Sequence, residues 1–222
     1  MKYIIIISMI ITNTLYSYNS KEINSFYNNY YSSNYRIKSI ENNNSQTYKN
    51  IYALIKSKGI EDEKEKYNYL KEIINQNEDY IKSDDTDYLI SVSELLNYIV
   101  YYCKLPEKIS FGSKSKEIYK KILEIDNSNF FALLGTAIGY MHAPAIAGGS
   151  NKKAFEYFNK ALNNAEERYQ KYLSYVWLSQ YYFKIKDNEN YNKYIDMSKR
   201  IYPNGKFLEE AVKRNNEYKK PL

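Results

Sequence analysis

The sequence predicts an all-α fold, and two observations support this prediction. The 222 residues contain only four prolines and seven glycines, so few positions interrupt regular structure. Apolar residues recur every three or four positions along most of the chain, which is the period of an amphipathic helix. We therefore expect a chain of helices joined by short polar turns.

The chain begins with a predicted export signal, residues 1–17. Met1-Lys2 supplies one positive charge, the run from Tyr3 to Ile11 is apolar, and Ser17 is a small residue at a plausible cleavage site. An uncleaved membrane anchor is the alternative, because Leu15 and Tyr16 make an imperfect cleavage site. No cysteine follows the apolar run, which argues against a lipoprotein anchor. The expected location is the bacterial periplasm or the medium.

Beyond this signal, apolar periodicity predicts helices up to the end of the chain. The polar run from Glu41 to Ser45 breaks the period and predicts a loop. Acidic residues at 84, 85 and 87 precede a helix, where they suit its dipole, and no calcium-loop glycine or distal glutamate accompanies them. The predicted helices are Glu22–Ile40, Gln46–Lys58, Asp62–Lys82, Asp87–Cys103, Ser115–Ile125, Phe130–Met141, Lys152–Ala165, Arg168–Lys184, Glu189–Ile201 and Lys206–Lys219.

Two successive stretches repeat one pattern of small and large residues. The first stretch places Leu133, Thr136, Ala137 and Tyr140 on one helix and Ala154, Phe158 and Ala161 on the next. The second places Tyr175, Leu178, Ser179 and Tyr182, then Tyr191, Ile195, Ser198 and Pro203, at the same spacings. Small residues let paired helices approach closely, and large residues fill the remaining space.

This pattern resembles the tetratricopeptide repeat (TPR), most strongly over residues 130–203. The resemblance implies a TPR-like α-solenoid of antiparallel helix pairs that forms a right-handed superhelix. The expected organisation is a helical N-terminal region at 18–83, TPR-like repeats at 84–205 and a C-terminal capping helix at 206–222. Degenerate repeats are one interpretation of the N-terminal region. More loosely, the chain resembles periplasmic TPR proteins associated with TRAP solute transporters.

The turn inside the first repeat is unusually long, because Tyr140 and Gly149 are nine residues apart. Pro144 disfavours helix at Ala143, the Gly148-Gly149 pair permits unusual backbone angles, and Ser150 suits an N-cap. No strand precedes the glycines, and no Lys-Ser or Lys-Thr follows them, so the sequence does not favour a phosphate site. A shaped turn between two helices is the expectation.

The family resemblance also implies a groove lined by the first helix of each repeat. Its predicted residues are largely apolar, which favours binding of a protein or peptide partner. Alternatively, a helix of the same chain or a second subunit fills the groove; the second case would make the protein a homo-oligomer. A further alternative is that the groove binds an apolar small ligand. The predicted groove residues are Phe131, Leu134, Ile138, Met141, His142, Leu173, Val176, Gln180, Phe183 and Lys184.

Composition and single residues give little support to other functions. The net charge is +6 with Lys and Glu interspersed, so we expect no nucleic-acid partner and do not favour a membrane surface. The 28 tyrosines accompany abundant Asn, Ile and Lys, so we interpret them as compositional drift. Cys103 is the single cysteine and His142 the single histidine. A thiolate-imidazole pair would lack an orienting group, so we expect no catalytic residue, metal or cofactor.

Overall fold

The computed structural model of the protein describes residues 24, 26–28, 30–31 and 45–222. Every regular element within these residues is a helix, which confirms the all-α prediction. The predicted signal at 1–17 and most of the predicted helix Glu22–Ile40 lie outside the described residues. Residues 24, 26–28, 30 and 31 are helical, and we call them the N-terminal tyrosine segment.

Helices fill most of the remaining described chain. Short 3-10 helices lie at Glu78–Lys82, Val100–Tyr102 and Ala145–Ala147. The α-helices are α1 Gln46–Lys58, α2 Glu63–Asn75, α3 Thr86–Ile99, α4 Leu105–Ile125, α5 Phe130–His142, α6 Asn151–Asn163, α7 Arg168–Ile185, α8 Asn188–Ile201 and α9 Lys206–Tyr218.

Successive helices associate in pairs, and the pairs follow one another along the chain. The most extensive contacts are between α7 and α8, between α5 and α6, and between α3 and α4. Contacts also join α1 to α3, α5 to α7, and α7 to α9. These contacts place α1 beside α3, and α7 between α5 and α9. A core cluster that holds Ala132 of α5 together with Leu89 and Leu96 of α3 joins the two sets. We call the surface that the odd-numbered helices share the odd-helix face.

Close approach within the pairs depends on small side chains at the repeat positions. Ala137, Ala154, Ala161 and Ser179 are each 0% exposed. Large neighbours such as Phe158 are equally buried, so small and large side chains fill one core together. These four small residues are thus part of the buried contact between helices.

The two largest differences from the predicted helix bounds are at the start of α4 and at the end of α2. Helix α4 begins at Leu105 rather than Ser115, because Pro106 stands in the first turn, where a helix does not need its N–H. Helix α2 ends at Asn75 rather than Lys82. There the Asn77 side chain donates to the Ile73 carbonyl at 2.7 Å and pairs with the buried amide of Asn50, so the helix does not continue.

The long turn after α5 has the predicted elements. Ala143 and Pro144 are extended, Gly148 has a φ of 87°, and the Ser150 hydroxyl accepts from the Lys153 N–H at 3.2 Å. The Ser150 N–H donates to the Tyr140 carbonyl at 3.0 Å, which closes the turn. The Gly-Gly pair therefore shapes a connection between helices.

We predict that Gly149→Ala destabilises the protein. A Cβ at Gly149 would lie 1.8 Å from the Ala143 carbonyl oxygen, so the backbone of the turn must shift, at a cost of about 1–2 kcal/mol. The control is Gly139→Ala inside α5, where the added Cβ has no atom within 4 Å and alanine is the better helix former. Thermal unfolding should show a lower Tm for the first variant and an unchanged or higher Tm for the control. An unchanged Tm for Gly149→Ala would contradict this structure of the turn.

Candidate functional site

The predicted groove residues lie on the odd-helix face, but most of them are covered. Phe131, Ile138 and Phe183 are half-buried, and His142 and Lys184 are exposed. The buried members are Leu134, Met141, Leu173, Val176 and Gln180. Other parts of the same chain lie against this face, as the next contacts show.

The N-terminal tyrosine segment covers one part of the odd-helix face with aromatic rings. The centroid of the Tyr27 ring lies 5.1 Å from that of Phe131 on α5 and 5.6 Å from that of Tyr169 on α7. Tyr31 stacks on Tyr169 at 6.2 Å and lies 6.0 Å from Phe207 on α9. Such ring pairs add to the stabilisation that apolar burial provides.

Polar contacts hold the same segment at four further points. The Tyr27 hydroxyl donates to Glu94 on α3 at 2.6 Å, and the Asn28 amide donates to Glu167 at 3.0 Å. The segment also accepts two hydrogen bonds, from Lys58 of α1 to the Tyr30 hydroxyl at 2.7 Å and from the Tyr169 hydroxyl to Asn24 at 2.6 Å. One short segment thus contacts α1, α3, α5, α7 and α9.

Residues of α9 and the chain after it cover the other part of the odd-helix face. Gln180 is 0% exposed and exchanges two amide hydrogen bonds with Asn215, at 2.8 and 3.0 Å. The Leu222 N–H also donates to the Gln180 oxygen at 3.1 Å, and Arg214 donates to the Pro221 carbonyl at 3.1 Å. Gln180 therefore serves an internal network in this structure, since both ends of its amide have partners within the chain.

His142 and Lys184 lie together at the end of α5. Desolvation by adjacent protein, with the positive charges of Lys184 and Arg214, lowers the pKa of His142 to about 4. The imidazole is consequently neutral at pH 7, and its ring meets Trp177 edge to face at 6.3 Å. The Lys184 ammonium donates to the Met141 carbonyl rather than to a carboxylate.

Cys103 lies in a different environment from His142. Its thiol donates to the Ile99 carbonyl at 3.0 Å, and burial raises its pKa, so it stays protonated at pH 7. The groups that influence its charge are Glu107, Lys108 and Lys71, none of which influences His142. The described residues also contain no cluster of three or more His, Cys, Asp or Glu side chains that would hold a metal ion.

A cavity of about 170 Å³ lies beside the odd-helix face, near the start of α3 and α7. Asp87 in its wall makes no side-chain hydrogen bond or ion pair with the described residues, and burial, with the negative charge of Asp85, raises its pKa to about 6. The cavity lining is mainly polar, and it consists of Asn24, Asp87, Ile90, Ser128, Asn129, Phe130, Phe131, Asn164, Glu166 and Gln170.

We predict that Asp87→Asn stabilises the protein at neutral pH. The folded protein raises the pKa of Asp87 above the unfolded value, so its ionisation opposes folding as pH rises from about 4 to about 6. Removing that charge should gain about 1–2 kcal/mol at pH 7.5 and nothing at pH 3.5, where the carboxyl is protonated in both states. Denaturant unfolding of both proteins at the two pH values measures the difference. A gain of equal size at both values would contradict the electrostatic explanation.

No helix of the described chain combines the length and the apolar character needed to cross a bilayer. Comparison of the sequence with protein-family models gives no match. Comparison with curated proteins gives no match either.

Proposed function

We propose that the protein is a non-catalytic helical-repeat scaffold of the bacterial envelope that binds a protein or peptide partner. In this proposal the helix pairs form a right-handed superhelix of the TPR type, and the odd-helix face is its binding groove. The small buried residues at the repeat positions support the TPR interpretation. In the same proposal, the predicted export signal at 1–17 directs the scaffold to the periplasm or the medium.

The N-terminal tyrosine segment is the observation that carries the proposal. A short helical piece of chain already lies against side chains from five successive odd-numbered helices. Recognition of an amphipathic helix in a groove works in the same way, with aromatic anchors and a few oriented hydrogen bonds. A face that accepts this segment has the chemistry to accept a partner helix.

The apolar-ligand alternative, with a role in solute uptake like that of TRAP-associated proteins, has weaker support. The cavity beside the odd-helix face has a mainly polar lining that includes Asp87 and Glu166. An apolar molecule there would remove water from both carboxylates without replacing their hydrogen bonds, which is unfavourable. We therefore favour the macromolecular partner.

Site-specific photo-cross-linking in the native host tests the proposal. Phe131 is half-buried on the odd-helix face, so the photoreactive residue p-benzoylphenylalanine can replace it and still supply an aromatic ring. Leu134 is unsuitable because it is only 5% exposed, and the same replacement there would disturb folding. Tyr157, a half-buried aromatic residue of the even-numbered helix α6, is the matched control. We expect a discrete adduct with another protein from position 131 and none from position 157. Only intramolecular products at position 131, or equal adducts from both positions, would contradict the proposal.

A further inference from the structure

We propose that the odd-helix face selects a helical peptide that presents a tyrosine hydroxyl to Glu94, and that the N-terminal tyrosine segment is its internal ligand. The inference rests on the proposed function and adds the chemistry of the partner. The partner helix carries aromatic rings for the α5 and α7 positions, a tyrosine at the place of Tyr27 and no carboxylate facing α3.

The geometry around Tyr27 makes one position the centre of recognition. Tyr27 is 4% exposed, and its ring contacts Phe131 on one helix and Tyr169 on another. Its hydroxyl reaches Glu94 of α3 at 2.6 Å. A single side chain thus joins α3, α5 and α7, as central aromatic anchors do in protein interfaces.

Glu94 gives this position its selectivity for tyrosine over phenylalanine. Among the described residues its carboxylate has one hydrogen-bond donor, the Tyr27 hydroxyl. Lys58, the nearby cation, directs its ammonium to the Tyr30 hydroxyl instead. A phenylalanine at this position would leave a desolvated carboxylate unpaired, and sites built to bind a hydroxyl strongly reject analogues that lack it.

The surrounding charges define what else the partner helix presents. Glu167, at the start of α7, accepts from the Asn28 amide, so a second acceptor serves the residue next to Tyr27. A carboxylate of the partner at either of these two positions would meet Glu94 or Glu167 and would be repelled. The face therefore fits a helix with hydroxyl and amide donors between its aromatic residues.

A small space remains between the N-terminal tyrosine segment and helix α1. A cavity of about 40 Å³ lies between the segment and α1, bordered by Tyr27, Tyr30, Ile51, Leu54 and Glu94. Voids of this kind forfeit contacts that a closely complementary helix would make. A partner helix that fills this space makes contacts that the segment does not make, and it competes with the segment for the same face.

The ligand in this test is a labelled peptide with the sequence of residues 20–33. The receptor is the chain from residue 18 to 222 carrying Tyr27→Ala and Tyr31→Ala, two substitutions that release the internal ligand; we call it the opened variant. We expect saturable binding to this opened variant by fluorescence anisotropy, and at least 10-fold weaker binding to wild type, whose own segment competes. A peptide with phenylalanine at position 27 should bind the opened variant at least 10-fold more weakly than the tyrosine peptide.

A second receptor variant reverses the expected preference. With Glu94→Leu added to the opened variant, the phenylalanine peptide should bind at least as tightly as the tyrosine peptide, because no carboxylate is left unpaired. Circular dichroism confirms that each receptor is folded. Equal binding of both peptides to the receptor with Glu94 would overturn the tyrosine selectivity and leave the binding face standing. No binding of either peptide to a folded, opened receptor would overturn the selectivity and the proposed function together.

Discussion

Tyr27→Ala should lower the free energy of unfolding by about 3 kcal/mol, the cost of removing a buried aromatic side chain. Tyr27 is 4% exposed and contacts Phe131 and Tyr169, so the substitution removes two ring contacts. It also leaves the Glu94 carboxylate without its hydroxyl donor in a desolvated position. Urea unfolding of the chain from residue 18 to 222 measures the loss.

The conservative variant Tyr27→Phe separates the two contributions. It retains the ring contacts and removes only the hydrogen bond to Glu94, so we expect a loss of about 1–3 kcal/mol at pH 7. Lowering the pH should diminish this loss, because the folded protein already raises the pKa of Glu94 through burial and protonation then removes the unpaired charge. Wild-type stability in both variants would mean that the segment does not hold this position.

Ala154→Trp should be the most destabilising substitution between paired helices, at about 3 kcal/mol or more. Ala154 of α6 is 0% exposed and belongs to the same core as Ala137 of α5 and Phe158. A tryptophan there must force α5 and α6 apart. The control is Glu156→Trp on the exposed side of α6, which should change the Tm little. A Tm near that of wild type for Ala154→Trp would contradict the register of the repeat.

The sequence predicted the parts of the fold that depend on local period and residue size. Helices α1, α7 and α8 lie close to their predicted bounds, because their apolar residues recur with the helical period. Gly59 also ends α1, and Pro203 follows α8. Ala137, Ala154 and Ser179 were selected by size alone, and their burial follows from the close approach of helices. The Ser150 cap likewise needs only local chemistry.

Contacts between distant parts of the chain could not be predicted in the same way. Tyr27 and Tyr169 are far apart in sequence, so no local pattern predicts their contact. We interpreted the many tyrosines as compositional drift and therefore did not predict that aromatic rings cover the odd-helix face. The hydrogen bond between Asn215 and Gln180 also joins residues that are far apart in sequence, so local patterns did not predict it. The signal in hindsight is the density of aromatic residues in the N-terminal tyrosine segment, which is unusual for an exposed helix.

Disulfide trapping within one molecule tests most directly that this segment occupies the odd-helix face. In a Cys103→Ser background, cysteines replace Asn28 and Glu167, whose side chains are hydrogen-bonded at 3.0 Å, so that the anchoring rings of Tyr27 and Tyr31 stay in place; the control pairs Asn28→Cys with Tyr157→Cys on the even-numbered helix α6. On mild oxidation we predict a monomeric, internally cross-linked product for the first pair and no internal cross-link for the control pair. Excess peptide with the sequence of residues 20–33 should slow the cross-linking of the first pair. Equal trapping in both pairs, or only intermolecular dimers, would contradict the account.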